Sequence, residues 1–181
     1  MRRTELRCGK PDRGRRGRTV ENPDCRFCSP VFVEVLRDGE MVFPLAAELE
    51  NVEQLLDGEL GHDRGRLAMT AFGEEVQAWN DETSFEEAPG IEDLAVESFI
   101  PTGTFTDEGE LPEARALLTG IVEQPRTLRN EATGRPFIHA MVSTYEMTID
   151  CVFAPQDVPT SLSPGSVVQG SFWLMGRLLP A

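Results

Sequence analysis

The end of the chain alternates. In "PGSVVQGSFWLMGRL", residues 164–178, one side carries Val168, Gly170, Phe172, Leu174 and Leu178, and the other Gln169, Ser171, Trp173, Met175 and Arg177. A period of two reads as a β-strand with its first set turned to a core. "FIHAMVSTY" repeats the pattern, with Ile138, Ala140, Val142 and Thr144 on one face and Phe137, His139, Met141, Ser143 and Tyr145 on the other. "ARALLTGIVEQ" and "MTIDCVFA" add two short apolar runs, and the turn-rich links "RNEATGRP" and "PQDVPTSLSPG" separate them. Short strands divided by Gly, Pro and Asn predict an all-β barrel or sandwich over 112–181.

Upstream the pattern is mixed. "VFVEVL", the turn "RDGE" and "MVFPL" predict a hairpin. "AAELENVEQLLDGEL" has Leu49, Val52, Leu55 and Leu56 at helical spacing, with Gly58 or Gly61 to end the helix. "RLAMTAF" and "EVQAWN" predict two strands around Gly73, and "DETSFEEAPGIED" an acidic loop. "AVESFIPTGTF" is expected to be extended, because Pro101 and Gly103 interrupt any helix. Residues 30–111 therefore read as an acidic α+β unit. Residues 1–29 are rich in Arg, Gly and Pro and lack apolar periodicity, so they are expected to form a disordered tail. The predicted fold class is α+β overall: a small α+β unit followed by an all-β barrel.

Charge sharpens this division. Residues 1–20 carry eight basic side chains against two acidic, whereas 38–110 carry twenty acidic against Arg64 and Arg66, and the chain as a whole has a net charge of −14. From 111 onward the balance is nearly neutral. Binding duplex DNA by neutralising phosphates requires clustered cations over the contact surface, which this distribution opposes. The acidic middle instead suits solubility or docking of a basic partner. No stretch approaches the roughly 20 apolar residues of a membrane helix, and the basic start leads into no apolar signal region. A cytoplasmic location and no membrane partner are the expectation.

The C-terminal segment resembles an OB-fold. Gly120 lies inside the first strand, Asn130, Thr133 and Gly134 form an "N-x-x-T-G" turn before a long second strand, and Pro164, Gly165, Val168 and Gly170 mark a late "P-G-x-x-V-x-G" strand entry. The likeness covers about 70 residues and carries no catalytic signature. It implies a small barrel. One departure is the Pro-rich loop where the family often inserts a helix, which would leave one barrel end open or plugged by the N-terminal half. The "ESFIPTGTF … GSFWL" layout also resembles that of bacterial proteins, a likeness that implies no activity.

Three groups of residues bear on chemistry. Cys25 and Cys28 form a C-x-x-C with Cys8 upstream, a set that can contribute thiolates to zinc but is half of a double-knuckle site. The alternative is two incidental thiols at the start of a strand. Phe137, His139, Tyr145, Trp173 and Arg177 form an aromatic and basic surface if their strands present the same side. Arg126, Arg129 and Arg135 stand in the loops beside them. Such a face can stack unpaired bases while arginines hold phosphates. It can equally pack against the other half of the chain, which makes Trp173 the expected anchor between the halves.

Catalysis has little support. There are two histidines, and none of G-x-S-x-G, a Walker loop, G-x-G-x-x-G or H-E-x-x-H occurs. His139 meets Asp150 only if neighbouring strands pair in register. The sequence thus predicts a non-enzymatic binding or scaffold protein without catalytic residues, with a protein partner. Single-stranded nucleic-acid binding through the barrel face is the alternative.

Overall fold

The computed structural model describes residues 5–8, 30–37, 40–51, 66–90, 94–104, 113–145, 147–158 and 162–179. These are mainly β, 63% strand against 6% helix, which places the fold nearer all-β than the expected mixture. The elements are β1 (Glu5–Cys8), β2 (Val31–Arg37), β3 (Glu40–Leu49), β4 (Arg66–Trp79), α1 (Glu82–Glu86), β5 (Ser98–Ile100) and a 3-10 turn (Thr102–Thr104). They continue with β6 (Arg115–Val122), β7 (Arg126–Arg129), β8 (Pro136–Thr144), β9 (Met147–Phe153) and β10 (Val167–Leu179). Two compact units result: residues 1–68, 101–114 and 175–181, and residues 69–100 and 115–174.

In the first unit β1, β2 and β3 are antiparallel neighbours, and the end of β10 lies parallel to β3 at Met175 and Gly176. The predicted β2–β3 hairpin is present. Its register shifts between Val35 and Leu36, so both side chains are buried. Leu45, Ala46 and Ala47 are consecutive and fully buried, so β3 is covered on both faces. The helix expected from residue 46 is not found there: Ala46–Leu49 continue β3, and 52–60 lie outside the described residues. Buried Asn51 fixes the end of β10. Its Nδ2 donates to the Leu178 carbonyl at 3.0 Å, and the Leu178 N–H donates to its Oδ1 at 2.9 Å. β1 falls within the segment expected to be disordered, with Cys8 opposite Val33, and the remainder of 1–29 lies outside the described residues.

In the second unit β6 pairs β8, β8 pairs β9, β9 pairs β4, β4 neighbours β10 and β10 pairs β6. The circuit returns on itself, so the mixed sheet is partly ring-like. β5 adds to β6 and β7 to β8. β4 was expected as two strands broken at Gly73 but runs unbroken for 14 residues. Its pairing with β9 is parallel, Thr70 opposite Asp150 and Phe72 opposite Val152.

The interior is filled by the alternate residues of these strands: Ala116 and Leu118, Ile138, Ala140 and Val142, Ile149, Cys151 and Phe153, and Phe172 and Leu174. Phe153 and Phe172 meet edge to face at 6.0 Å. Two glycines allow backbone to cross backbone. A Cβ at Gly120 would strike the Ser143 carbonyl oxygen, and one at Gly170 the Glu75 carbonyl. Between β6 and β8, Thr144 Oγ1 lies 2.7 Å from the Thr119 carbonyl and 2.8 Å from that of Ser98, its one proton shared between them. The acidic loop contains α1, started by a capping box in "DETS". The Ser84 N–H donates to Asp81 Oδ1 at 2.8 Å, and the Asp81 N–H donates to Ser84 Oγ at 3.1 Å. The Ser84 N–H, and then the Ser84 hydroxyl donating to the same Asp81 Oδ1 at 2.8 Å, hold the exposed Asp81 carboxyl below its ordinary pKa. The helix buries Phe85 edge-on to Trp79.

Candidate functional site: the outer face of the ring-like sheet

The residues that alternate with the core are half-buried or exposed and lie on the outer face. Register determines which of them meet. Residues directly opposite in paired strands project to the same side. Leu128 of β7 faces Phe137 of β8, and Arg126 faces His139. His139 then faces Val152 of β9, and Val152 faces Phe72 of β4. The Phe72 ring meets the indole of Trp173 on β10, with centroids 5.6 Å apart and planes tilted by 42°. Leu128, Phe137, His139, Val152, Phe72 and Trp173 therefore form one stripe across five strands. Four interstrand steps of about 4.8 Å make it about 19 Å long, measured along the sheet.

Several polar groups on this face have partners. His139 Nε2 lies 2.7 Å from Asp150 Oδ1, a diagonal contact because the residue opposite Asp150 is Met141. Arg115, opposite Trp173, bonds to Glu74. Ser143 Oγ donates to Glu97 Oε1 at 2.6 Å. On the inner side, burial and then the neighbouring Asp150 charge push the Cys151 thiol far above the usual range, so it is a neutral core side chain.

The sequence-derived residues divide accordingly. Phe137, His139, Arg126 and Trp173 come together on one face. Tyr145 stands at the β8–β9 turn, half exposed. Arg129 and Arg135 are exposed at the β7–β8 hairpin, where Arg129 Nη1 donates to the Gly134 carbonyl at 3.1 Å. Arg177 is exposed and belongs to the other compact unit. Trp173 does contact the segment read as the N-terminal unit, through Phe72, but both residues lie in one compact unit because β4 is a strand of the ring. Leu128, Val152 and Phe72 are the members of the stripe that sequence reasoning missed, and Phe72 is the aromatic one among them. The β-rich composition of "RLAMTAF" marked a strand, and nothing local marked its partner.

Of the zinc candidates, the Cys8 backbone lies in β1, and Cys25 and Cys28 lie outside the described residues. Among the described residues no cluster of three or more His, Cys, Asp or Glu has metal-binding geometry. No helix among them is long and apolar enough to cross a membrane. Compared with protein-family models, curated proteins and solved structures, the chain matches none.

Proposed function

We propose that this chain is a non-enzymatic binding or scaffold module that engages a protein through the outer face of β7, β8, β9, β4 and β10. The carrying observation is the stripe from exposed Leu128 through half-buried Phe137, His139, Val152 and Phe72 to Trp173. A contiguous run of aromatic and aliphatic groups bordered by polar residues has the make-up of an interface centre and rim. The finer fold reading is an OB-like barrel. Five strands in a closed circuit of pairings suit that architecture, with β4 entering from upstream of β6 in sequence. A cytoplasmic setting remains part of the proposal.

Electrostatics favour a protein over a nucleic acid. The Arg115 guanidinium is engaged with Glu74 and the His139 ring with Asp150, and the whole chain carries −14. Binding single strands relies on a surplus of cations along the backbone track. A second reading, single-stranded nucleic acid, draws on one feature: Arg126 stands directly opposite His139, beside Phe137. The test pairs two measurements. A photo-crosslinking residue at position 137 should trap discrete protein adducts that the same residue at exposed position 131 does not. A fluorescent poly-pyrimidine strand at low salt should show no binding that depends on Trp173. Binding lost in Trp173→Ala would overturn the protein reading in favour of the second, and identical adducts from 137 and 131 would overturn both.

A further inference from the structure

β7 is an edge strand. Its four residues are all exposed, and among the described residues its one strand partner is β8. The Asn130 N–H donates to the Arg135 carbonyl at 2.9 Å, which makes that cross-strand pair a hydrogen-bonded one. Antiparallel pairs alternate. Arg126 and Leu128 therefore direct their backbone groups to β8, and Thr127 and Arg129 direct theirs to the open edge. Pro136, which has no N–H to offer, sits opposite Arg129, at a position where the ladder needs none.

The hairpin holds this edge in shape. Asn130 Oδ1 accepts the N–H groups of Ala132 and Thr133 at 3.0 and 2.9 Å. The Gly134 N–H donates to the Asn130 carbonyl at 2.7 Å, and Gly134 takes a φ of +68°, which suits glycine. The edge is also locally basic. Between Gln124 and Phe137 stand Arg126, Arg129 and Arg135 against Glu131, in a chain whose net charge is −14. Edge strands carrying charge repel copies of themselves. Two β7 edges brought together would set two net-positive segments side by side, which disfavours a second copy and favours a strand of opposite charge.

We propose that the open edge of β7 takes an extended acidic peptide segment of a partner protein as an added strand. This rests on the reading of the chain as a protein-binding module and names its partner's chemistry. The Thr127 and Arg129 N–H and carbonyl groups bond the incoming backbone. Side-chain alternation sets the preferred sequence. The residue opposite Leu128 falls on the outer face beside Phe137 and is apolar. The residue opposite Arg126, two positions away on that face, is apolar as well. The residues opposite Thr127 and Arg129 point to the other face and are acidic, so the preferred peptide alternates acidic and apolar positions.

The experiment is fluorescence anisotropy of the full chain with a labelled peptide of alternating Glu and Val. A peptide of alternating Glu and Pro carries the same charge but cannot pair as a strand. The Glu–Val peptide should bind saturably at about 50 mM NaCl and more weakly at about 300 mM, as screened charge requires. Arg129→Glu should weaken it by about tenfold or more, since a charged contact becomes a repulsion. Thr127→Pro removes an outward N–H without touching the β8 ladder and should weaken it similarly, and Arg177→Glu should not. Methylating alternate peptide nitrogens tests the same bonds without altering the protein and should abolish binding in one of the two frames. Absence of binding at low salt, equal binding of the Glu–Pro peptide, or indifference to both Thr127→Pro and methylation would overturn the proposal. Should the peptide fail while the protein adducts at position 137 persist, the β7 assignment falls and the binding-module reading stands.

Discussion

Asn51 offers the sharpest test of the first compact unit. Its amide makes two hydrogen bonds to one backbone residue, Leu178, and both residues are buried, at 7% and 6% exposure. Asn51→Ala removes both bonds and strands a donor and an acceptor. Each bond contributes about 0.5–1.5 kcal/mol net, and a buried group left unpaired costs about 1–3 kcal/mol, so the combined loss is about 2–4 kcal/mol after partial relief by water. For a chain of this size about 1 kcal/mol moves the melting midpoint by about 2–4 °C, which gives a drop of about 4–16 °C. Asn51→Asp separates the two bonds. A carboxylate still accepts from the Leu178 N–H but faces the Leu178 carbonyl with no proton to donate. Burial and that carbonyl raise the folded-state pKa of the new acid above its unfolded value of about 3.9. A group raised in this way keeps its stabilising contribution at low pH and loses it as pH rises through the folded pKa. The stability gap between Asn51→Asp and the natural chain should therefore be small near pH 4 and wide at pH 7. Urea unfolding at a series of pH values reads it directly. A gap that does not change with pH, or an Asn51→Ala midpoint equal to that of the natural chain, would refute the pinning of β10 by this amide.

Two further outcomes are expected. Gly120→Ala forces a Cβ against the Ser143 carbonyl oxygen and should cost about 3 kcal/mol in urea unfolding, where an unchanged midpoint would deny the close crossing of β6 over β8. Cys151, buried and with its thiol pushed up, should resist iodoacetamide at pH 8 until denaturant is added, as read by mass mapping of its peptide, and labelling at the denatured rate would place it outside the core.

Face was legible in the sequence where strands alternate cleanly. Ile138, Ala140 and Val142, and likewise Phe172 and Leu174, are buried as their spacing requires. Partnership was not legible. A period of two says which way a side chain points and nothing about which strand lies alongside, so β4 could not be matched to β9, 80 residues away. Gly73 read as a break because glycine marks turns, yet here it lets Val76 and the Phe153 ring lie close to a continuous strand. Ala46, Ala47 and Leu49 satisfy helical spacing and a doubly buried strand equally well, and burial on both faces decided for strand. Helix α1 is only five residues long, too short for periodicity, and its signal was the Asp81–Ser84 capping pair. The stripe was half visible for the same reason: alternation offered Phe137, His139 and Trp173, and only the parallel register supplied Phe72 between them.

That parallel pair also sets an order of events during synthesis. Thr70 leaves the ribosome 80 residues ahead of Asp150, the residue it will face. At about 5–20 residues per second the wait is about 4–16 s. Through that interval Ala71 and Phe72 have no neighbouring strand, and the ring cannot close until β10, the last strand made, has arrived. The twenty acidic side chains between residues 38 and 110 surround β4 in sequence, and their mutual repulsion keeps nascent chains apart while it waits. The acidic middle of the molecule thus disfavours association of chains during the interval in which a central strand still lacks its partners.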